Sequence, residues 1–516
     1  MKKKVKIFDQ TQLTDFFGGV FVDPKKTQST ANAINNPPIF DTYTVPIKQH
    51  KNNAGKIVVT VGQKVLKGEP LTQAIVDDEL PVHAPTSGTI TAIAAFPQTH
   101  PSGALGTSIT MQADGEDAWC ALNPRAAIDD LTTHEIFELI KKAGICGLGG
   151  AVFPTHLKAK HASKIKILII NGVECEPYIT SDYMLIKEQA QEILQGALVL
   201  HKVLQLDEIV FAIKDHQPLV DAITAAQKLD VFASLNIKIR KVIDKYPSGG
   251  EKQLIEVLTG LEVPSGSYAT DIGILMQNVG SLVAIKKAVY DDEPLIERVV
   301  TVTGEALAVN NNYHVRIGTA IADLLNYVDS GNALDSIIVG GPMMGFTLTE
   351  LSVPVVKSTN CLLALPQQSQ AEERDCIRCG LCVDACPIKL QPQQLYWYAK
   401  AKNNKMLERY NLADCIECGC CSYVCPSDIP LVQYYRQEKA RLKKEKQEKE
   451  LAAIAKVNFE NRKVRLEQEA KARKAARHQA NLARKANMTA DHKDLIAESI
   501  KRVAAKKQQQ QKKSDN

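Results

Sequence analysis

Two cysteine runs of identical spacing limit what this chain can fold into. Cys376-Ile-Arg-Cys379-Gly-Leu-Cys382-Val-Asp-Ala-Cys386-Pro387 is one C-x2-C-x2-C-x3-C-P segment, and Cys415-Ile-Glu-Cys418-Gly-Cys-Cys421-Ser-Tyr-Val-Cys425-Pro426 is the other. Three thiolates in a tight loop reach three corners of one [4Fe–4S] cubane, whereas the fourth lies past the bend that proline introduces and ligates the other cluster. By that rule Cys376, Cys379, Cys382 and Cys425 hold one cluster, and Cys415, Cys418, Cys421 and Cys386 hold the second. Zinc favours separated C-x2-C pairs, so the triple spacing argues against two zinc sites. Cys420 is extra and reads as a packed or neighbouring thiol, while the isolated Cys120 and Cys361 read as small apolar residues.

Nine of the 13 cysteines lie between Cys376 and Cys425. In a chain of 516 residues that crowding points to metal ligation by reduced thiols, not to a disulfide framework. The length implies several domains. No run approaches the roughly 18 apolar residues of a spanning helix. The start, Met1 to Gln10, is basic but has no apolar stretch or small-residue cleavage site, so the body is expected to be cytosolic. The net charge of +5 hides an uneven distribution. Residues 437–516 carry 23 of the 63 Lys and Arg but only 11 of the 58 Asp and Glu, which leaves a mildly acidic body and a basic tail.

The order of patterns along the chain predicts a multidomain α/β protein. Residues 1–130 read as β-rich, with Ile57–Val61 as a strand, a turn–strand–turn over Gly62–Gly68, and His83–Ile93 as a turn followed by alternating apolar residues. These two halves resemble a biotinyl/lipoyl-type barrel-sandwich domain, although Ala84-Pro-Thr-Ser-Gly88 lacks the lysine such domains modify, so a structural role is expected. Residues 131–296 alternate helix and strand signals, with strands at Ile165–Ile170, Glu208–Ile213 and Ile237–Ile243 and a helix over Pro218–Leu229. That alternation predicts a parallel sheet. Residues 297–365 are again β-rich, residues 366–372 form a polar linker, and 366–436 hold the cysteine domain. Leu390–Leu412 separates the two runs with helical character, as in the α-helical ferredoxin modules that relay electrons inside larger redox enzymes. The tail, 437–516, is Lys-, Ala- and Gln-rich and reads as a solvated helix that frays into disorder.

Clusters pass single electrons, whereas NAD(P)H gives up a hydride, and a flavin is the usual converter between the two. The α/β region offers a place for one. Gly147-Leu-Gly-Gly-Ala-Val-Phe-Pro-Thr-His-Leu-Lys158 is a glycine-rich loop between helical patterns. Gly147, Gly149 and Gly150 let backbone N–H groups approach a phosphate, a following helix N-terminus favours its charge, and Lys158 is placed to pair with it. Taken alone, such a loop is more often a turn. Asn171-Gly-Val-Glu-Cys-Glu-Pro177 follows a strand and so sits at the carboxyl edge of the sheet, where open α/β sheets bind ligands. Pro247–Lys252 and Gln277–Gly280 are two further polar turns in this region. No Ser/His/Asp triad, Walker loop or H-E-x-x-H motif is present, so no protein side chain is assigned as catalytic.

Together these stretches resemble the NADH-binding flavoprotein subunit of respiratory complex I. The glycine loop of that family, G-x-G-G-A-G-F-P-T, is matched from Gly147 to Thr155 except for Val152 at its sixth position, with Leu148 where arginine is usual. Its N-x-D-E-x-E-P motif is matched at Asn171–Pro177, with Val173 replacing the aspartate, and Tyr178 stands where the family has glycine. The whole domain order is similar to the RnfC (RsxC) family of the Rnf ion-translocating oxidoreductases, covering about residues 10–436. That resemblance implies a Rossmann-like FMN/NADH domain, then a ubiquitin-like (SLBB-like) β-grasp segment near 297–348, then the two-cluster ferredoxin domain. It further implies noncovalent FMN at the glycine loop with Lys158, Asn171 and Asn278 as contacts, and Phe153, Glu174 and Glu176 on the NADH side. It implies attachment to integral membrane subunits at the cytoplasmic face of the bacterial inner membrane, with sodium or proton translocation, and ferredoxin or another low-potential carrier as a further partner. The competing reading is a soluble NAD(P)H:acceptor iron–sulfur flavoprotein. A nucleic-acid-binding role for the basic tail is disfavoured by the lack of interleaved aromatics, Phe459 being its only one.

Overall fold

The fold is described here from a computed structural model, which covers residues 5–8, 14–50, 53–150, 152–159, 164–329, 336–366, 372–487 and 490–514. Most of the expected linker 366–372 and Ala151 of the glycine loop lie outside the described residues. The chain divides into two units, Met1–Gln437 and Glu438–Asn516.

The first β region has strands β1 (Thr42–Pro46), β2 (Lys56–Ile57), β3 (Lys64–Val65), β4 (Thr72–Gln73), β5 (Gly88–Pro97) and β6 (Leu105–Ala113). The order β1-β6-β5-β3 makes an antiparallel sheet, and β2 pairs with β4. Tyr43, Val45, Ile90, Ile109 and Met111 fill the interior between them. The strand expected over Ile57–Val61 stops after Ile57, because Val58 and Val61 face solvent and the chain turns at Gly62. Residues 14–40 add no strand to this sheet. Instead they run past the rest of the first unit, with Val20 bridging Tyr246 and Asn35 bridging Tyr313.

The central layer follows helices α1 (Thr133–Lys142) and α2 (Thr155–Ala159). It comprises β7 (Ile167–Gly172), α3 (Ser181–Leu204), β8 (Glu208–Lys214), α4 (Gln217–Gln227), β9 (Ile237–Val242), α5 (Glu251–Thr259), β10 (Ile274–Asn278) and α6 (Val279–Lys286). The strands lie in the order β10-β7-β8-β9, all parallel. Both faces of such a sheet are covered, so its strands are apolar runs whose successive side chains serve opposite cores. Leu168 and Ile170 pack under α3 and α6, while Ile167 and Ile169 pack on the face covered by α5. The expected strands and the helix α4 are present within one or two residues.

Helices α3 and α6 approach closely because Gly196 has no side chain. A Cβ there would stand 2.1 Å from the Leu282 carbonyl oxygen. The first turn of α3 is capped from a distance. Thr180, its N-cap residue, makes no capping bond, and its hydroxyl is engaged with Ser29 and Asn312. Glu174 serves instead, its carboxylate accepting from the amides of Asp182 (2.7 Å) and Tyr183 (3.3 Å) and from Ser181 Oγ (3.2 Å). Orphan amides and the helix dipole favour a carboxylate at this point. Desolvation, then the nearby Glu174 charge, pushes the Asp182 carboxyl up to about 7.

The third layer contains β11 (Glu297–Thr303), β12 (Asn311–Arg316), α7 (Ile321–Val328), β13 (Ile337–Val339), β14 (Phe346–Thr347) and β15 (Cys361–Ala364), in the order β12-β11-β15-β13-β14. The β15 strand lies beyond the expected limit near 348 and closes the sheet by pairing with both β11 and β13. The cysteine domain is helical, with α8 (Leu381–Asp384), α9 (Pro392–Lys400), α10 (Asn404–Arg409) and α11 (Cys420–Tyr423). Two long helices follow, α12 (Leu431–Ala486) and α13 (Ala490–Ser514). The second unit is helical across its described residues, and from Lys446 onward every described side chain is exposed.

Two stability effects follow. Gly196→Ala is expected to destabilise the first unit by about 2 kcal/mol, because the gain in helix propensity is smaller than the cost of forcing α3 from α6. Thermal unfolding reads this, and an unchanged midpoint refutes the close packing. Asp182 binds its proton more tightly folded than unfolded, so its contribution falls as pH rises from about 4 to about 7. Asp182→Asn should therefore stabilise the protein on the order of 1 kcal/mol at pH 8 and much less at pH 4. Denaturant midpoints at the two pH values check the sign.

Candidate redox site

The two cysteine runs fold into equivalent loops. In each, a glycine with positive φ (Gly380 at 86°, Gly419 at 84°) turns the chain into a short helix, α8 or α11. The thiols ring two cavities. One is lined by Cys376, Cys379, Cys382 and Cys425, and the other by Cys386, Cys415, Cys418 and Cys421. Each cavity thus takes three cysteines from one run and the last cysteine of the other. All are free thiols. Among the described residues no three His, Cys, Asp or Glu side chains close on a single ion. Sulfurs spread around a cavity suit a cluster with extent of its own, and the thiol set is that of a cubane. Burial raises the Cys386 and Cys421 thiols above their usual range, so their thiolate forms need positive iron beside them. Cys420 lines neither cavity. It is fully buried and hydrogen-bonds to Cys418, a bond that lowers the Cys418 thiol.

The glycine-rich loop joins α1 to α2. It is closed by Gly147 N donating to Phe153 O (2.9 Å) and anchored by Leu148 N donating to Ser281 Oγ (2.8 Å). Around Gly150, at φ +99°, nothing lies within 4 Å of where a Cβ would stand, and around Gly147 the nearest atom is 3.9 Å away. The loop therefore presents bare backbone, the surface a phosphate needs. A Cβ added at Gly149 would stand 3.3 Å from Asn278 Cβ. The helix that follows, α2, has only five residues and so lends little dipole, less than the sequence suggested.

Asn171 and Asn278 are register partners at the carboxyl ends of β7 and β10, so two amide side chains stand side by side at the edge of the sheet. Asn171 Nδ2 donates to Gly249 O (2.8 Å). Asn278 caps α6 through Gly280 N (2.9 Å) and donates to Asp182 Oδ2 (2.6 Å). Lys158 reaches the same edge, its Nζ on Met276 O (2.8 Å) and Glu251 Oε2 (2.9 Å). Phe153 is half-buried in the loop. Gly147, Gly149, Gly150, Phe153, Lys158, Asn171 and Asn278 thus belong to one edge.

The two glutamates point elsewhere. Glu174 is spent on the start of α3, as described above. Glu176 accepts from the amides of Met343 (2.7 Å) and Met344 (2.9 Å), with the Tyr246 hydroxyl beside it. The Met343 carbonyl abuts Gly419 in the second cysteine loop, 2.6 Å from where a Cβ would stand. Tyr246, 2% exposed, donates to the Cys418 carbonyl oxygen at 2.7 Å. Desolvation raises the Glu176 carboxyl. Tyr246 was not foreseen, although it directly precedes the polar turn Pro247–Lys252.

Three buried polar atoms near the glycine loop and the sheet edge have no partner among the described residues: Thr155 Oγ1, Ser248 Oγ and Gln277 Nε2. Unpaired buried polar atoms are costly, and a polar ligand would satisfy them. Bare loop, paired amides and orphan donors together fit a flavin mononucleotide.

Three regions of the chain match known domain families. The Nuo51 FMN-binding domain matches residues 140–287, the RnfC barrel sandwich hybrid domain matches 14–116, and a 4Fe-4S dicluster domain matches 375–429. The RnfC subunit of the ion-translocating oxidoreductase complex of Haemophilus influenzae strain 86-028NP is 46% identical over 469 residues, covering 90% of this chain and 70% of that one. The same subunit from strain Rd is 45% identical, covering 90% of this chain and 57% of its own length. Among solved structures, a chain of the NAD+-reducing [NiFe]-hydrogenase in its H2-reduced state is 18% identical with a TM-score of 0.45, covering 60% of this chain and 62% of that one. With its barrel, FMN-binding and dicluster regions in that order, the chain belongs to the RnfC family of ion-translocating oxidoreductase complexes.

Proposed function

We propose that this chain is the electron-input subunit of an ion-translocating oxidoreductase complex, passing electrons from NADH through FMN and two [4Fe–4S] clusters to partner subunits. The observation that carries the reading is the junction at Tyr246, which ties the carboxyl edge of the parallel sheet to the second cysteine loop. When bound, FMN supplies the conversion of a two-electron donation into single-electron steps. The residues of the chain position and insulate. Gly147, Gly149 and Gly150 offer backbone to the phosphate, Lys158 brings a cation to the same edge, and Asn171 and Asn278 orient the remaining polar groups. Phe153 is the residue for stacking on the nicotinamide side. Glu174 and Glu176 act through the backbone they hold, fixing the start of α3 and the Met343–Met344 turn. The domain plan that serves this function is a barrel sandwich within 1–130, an FMN/NADH domain over 131–296, a β-grasp segment over 297–365, the cluster domain over 366–436 and a helical tail.

No helix of the described residues is long and apolar enough to cross a membrane. Integral partner subunits on the cytoplasmic face of the inner membrane would then hold the chain in place.

Anaerobic titration of the reconstituted protein with NADH, followed by flavin absorbance and cluster EPR together, tests the route. Bleaching of one flavin per chain with reduction of both clusters is the expected result, and clusters that never respond to NADH refute it. Ligand assignment is tested separately. Cys425→Ser and Cys376→Ser should lose the same EPR signal and about half the iron. Cys386→Ser and Cys415→Ser should lose the other signal. Pairing of Cys425 with the second run's phenotype overturns crossed ligation.

A further inference from the structure

Two basic side chains are buried behind the glycine loop without a carboxylate in contact. Arg298, on β11, is 7% exposed, and Lys357 is 1% exposed. Among the described residues neither forms an ion pair. Their hydrogen bonds go to backbone carbonyls. Arg298 donates through Nη2 to Leu148 O (3.4 Å), through Nε to Val299 O (3.3 Å), and through Nη1 to Lys357 O. Lys357 Nζ donates to Gly144 O (2.6 Å) and Pro81 O (3.5 Å). Both therefore end on the segment that leads into and forms the glycine loop.

The approach of Lys357 is built in. Gly144 has φ +68°, and a Cβ there would stand 3.0 Å from Lys357 Nζ and 2.4 Å from Pro81 O. A glycine is required at this position for the ammonium to reach its place. Burial lowers the Arg298 guanidinium to about 10, so it stays charged at neutral pH. Burial lowers Lys357 as well, and only the Cys146 thiol opposes that shift. The acid nearest in effect to Arg298 is Asp182, itself pushed towards its neutral form. The Arg298 charge is thus met by backbone carbonyls and not by a paired carboxylate.

Burying an unpaired cation costs several kcal/mol unless something outside the side-chain set offsets it. An anion seated on the loop does so, and low-dielectric surroundings lengthen the reach of the interaction. Leu148 in the loop itself brings no charge.

We infer that Arg298 and Lys357 are specificity-determining residues that give the loop a positive field from behind and so select a phosphate-bearing flavin over the uncharged one. The inference rests on the flavin reading above and adds which residues set its ligand preference.

Titration of the full-length apoprotein with FMN and with riboflavin, read by quenching of flavin fluorescence, tests it. The unmodified protein should bind FMN at least about tenfold more tightly than riboflavin. Arg298→Gln, which retains an amide donor for the Leu148 carbonyl, should weaken FMN about tenfold and change riboflavin by less than about twofold. Lys357→Met, which keeps the volume and drops the charge, should act in the same direction and carries the test if the first variant does not fold. Equal loss for both flavins would reduce the pair to loop scaffolding and overturn the inference, as would unchanged FMN affinity. An FMN-to-riboflavin ratio near one in the unmodified protein overturns it without any variant. Failure of the unmodified protein to bind either flavin strikes the flavin reading itself, a distinguishable result.

Discussion

Tyr246 donates its hydroxyl hydrogen to the Cys418 carbonyl, and this bond joins the sheet edge to a cysteine loop. Electron transfer between cofactors requires that their carriers be held at fixed separation. Here one side chain belongs to the turn after β9, and its acceptor lies among the thiols of the second cavity. Val20 exchanges two backbone bonds with Tyr246, and Gly19 N donates to Ala385 O beside Cys386. The strand-like segment before the barrel therefore clamps the same junction from outside. Gly18 and Gly19, both at positive φ, allow that segment to lie directly on the Cys386 and Tyr246 backbones.

Glu176 shows why a carboxylate belongs at such a junction. An apolar side chain would leave the Met343 and Met344 amides without an acceptor close to the cysteine loop. A carboxylate satisfies both and has the Tyr246 hydroxyl beside it as well. Each bond to an ionised acceptor is stronger than a neutral one, which opposes but does not cancel the desolvation that raises the carboxyl. Glu174 solves the equivalent problem at α3, where the N-cap hydroxyl is committed elsewhere. Two acids so close in sequence thus fix two backbone segments in different layers, and the loop between them crosses the sheet edge with Glu174 at φ 37°.

The cysteine spacing, the apolar strands and the glycine loop were legible because each is a local pattern with one physical cause. Thiols at fixed offsets, period-two burial and absent side chains need no knowledge of the rest of the chain. The duties of Glu174 and Glu176 were not legible. An acidic residue after a strand looks the same whether it faces a ligand or caps the helix that follows. Ile57–Val61 failed for a similar reason, since β propensity does not reveal that the pairing ends with Val58 N donating to Leu71 O. Arg298 and Lys357 read as ordinary strand and loop cations, and only the packing of three layers buries them. Residues 14–40 carry little pattern because their contacts are long-range backbone bonds, which any side chain permits.

The two cavities are chemically alike and differ in setting. In the first, Cys379 is exposed and Ile377 is 69% exposed. In the second, Cys386, Cys418 and Cys421 are buried, with Tyr435 closing one side. Tyr246 bonds to Cys418 of the second, and its turn carries Gly249, which accepts from Asn171 at the sheet edge. Of the eight thiols Cys379, in the first cavity, is the exposed one, and the second cavity has one partly exposed thiol, Cys415. The runs interlock, each lending its last cysteine to the other cavity. The more sheltered thiol set and the more open one are therefore tied to each other by the same crossed pairing that joins the two loops.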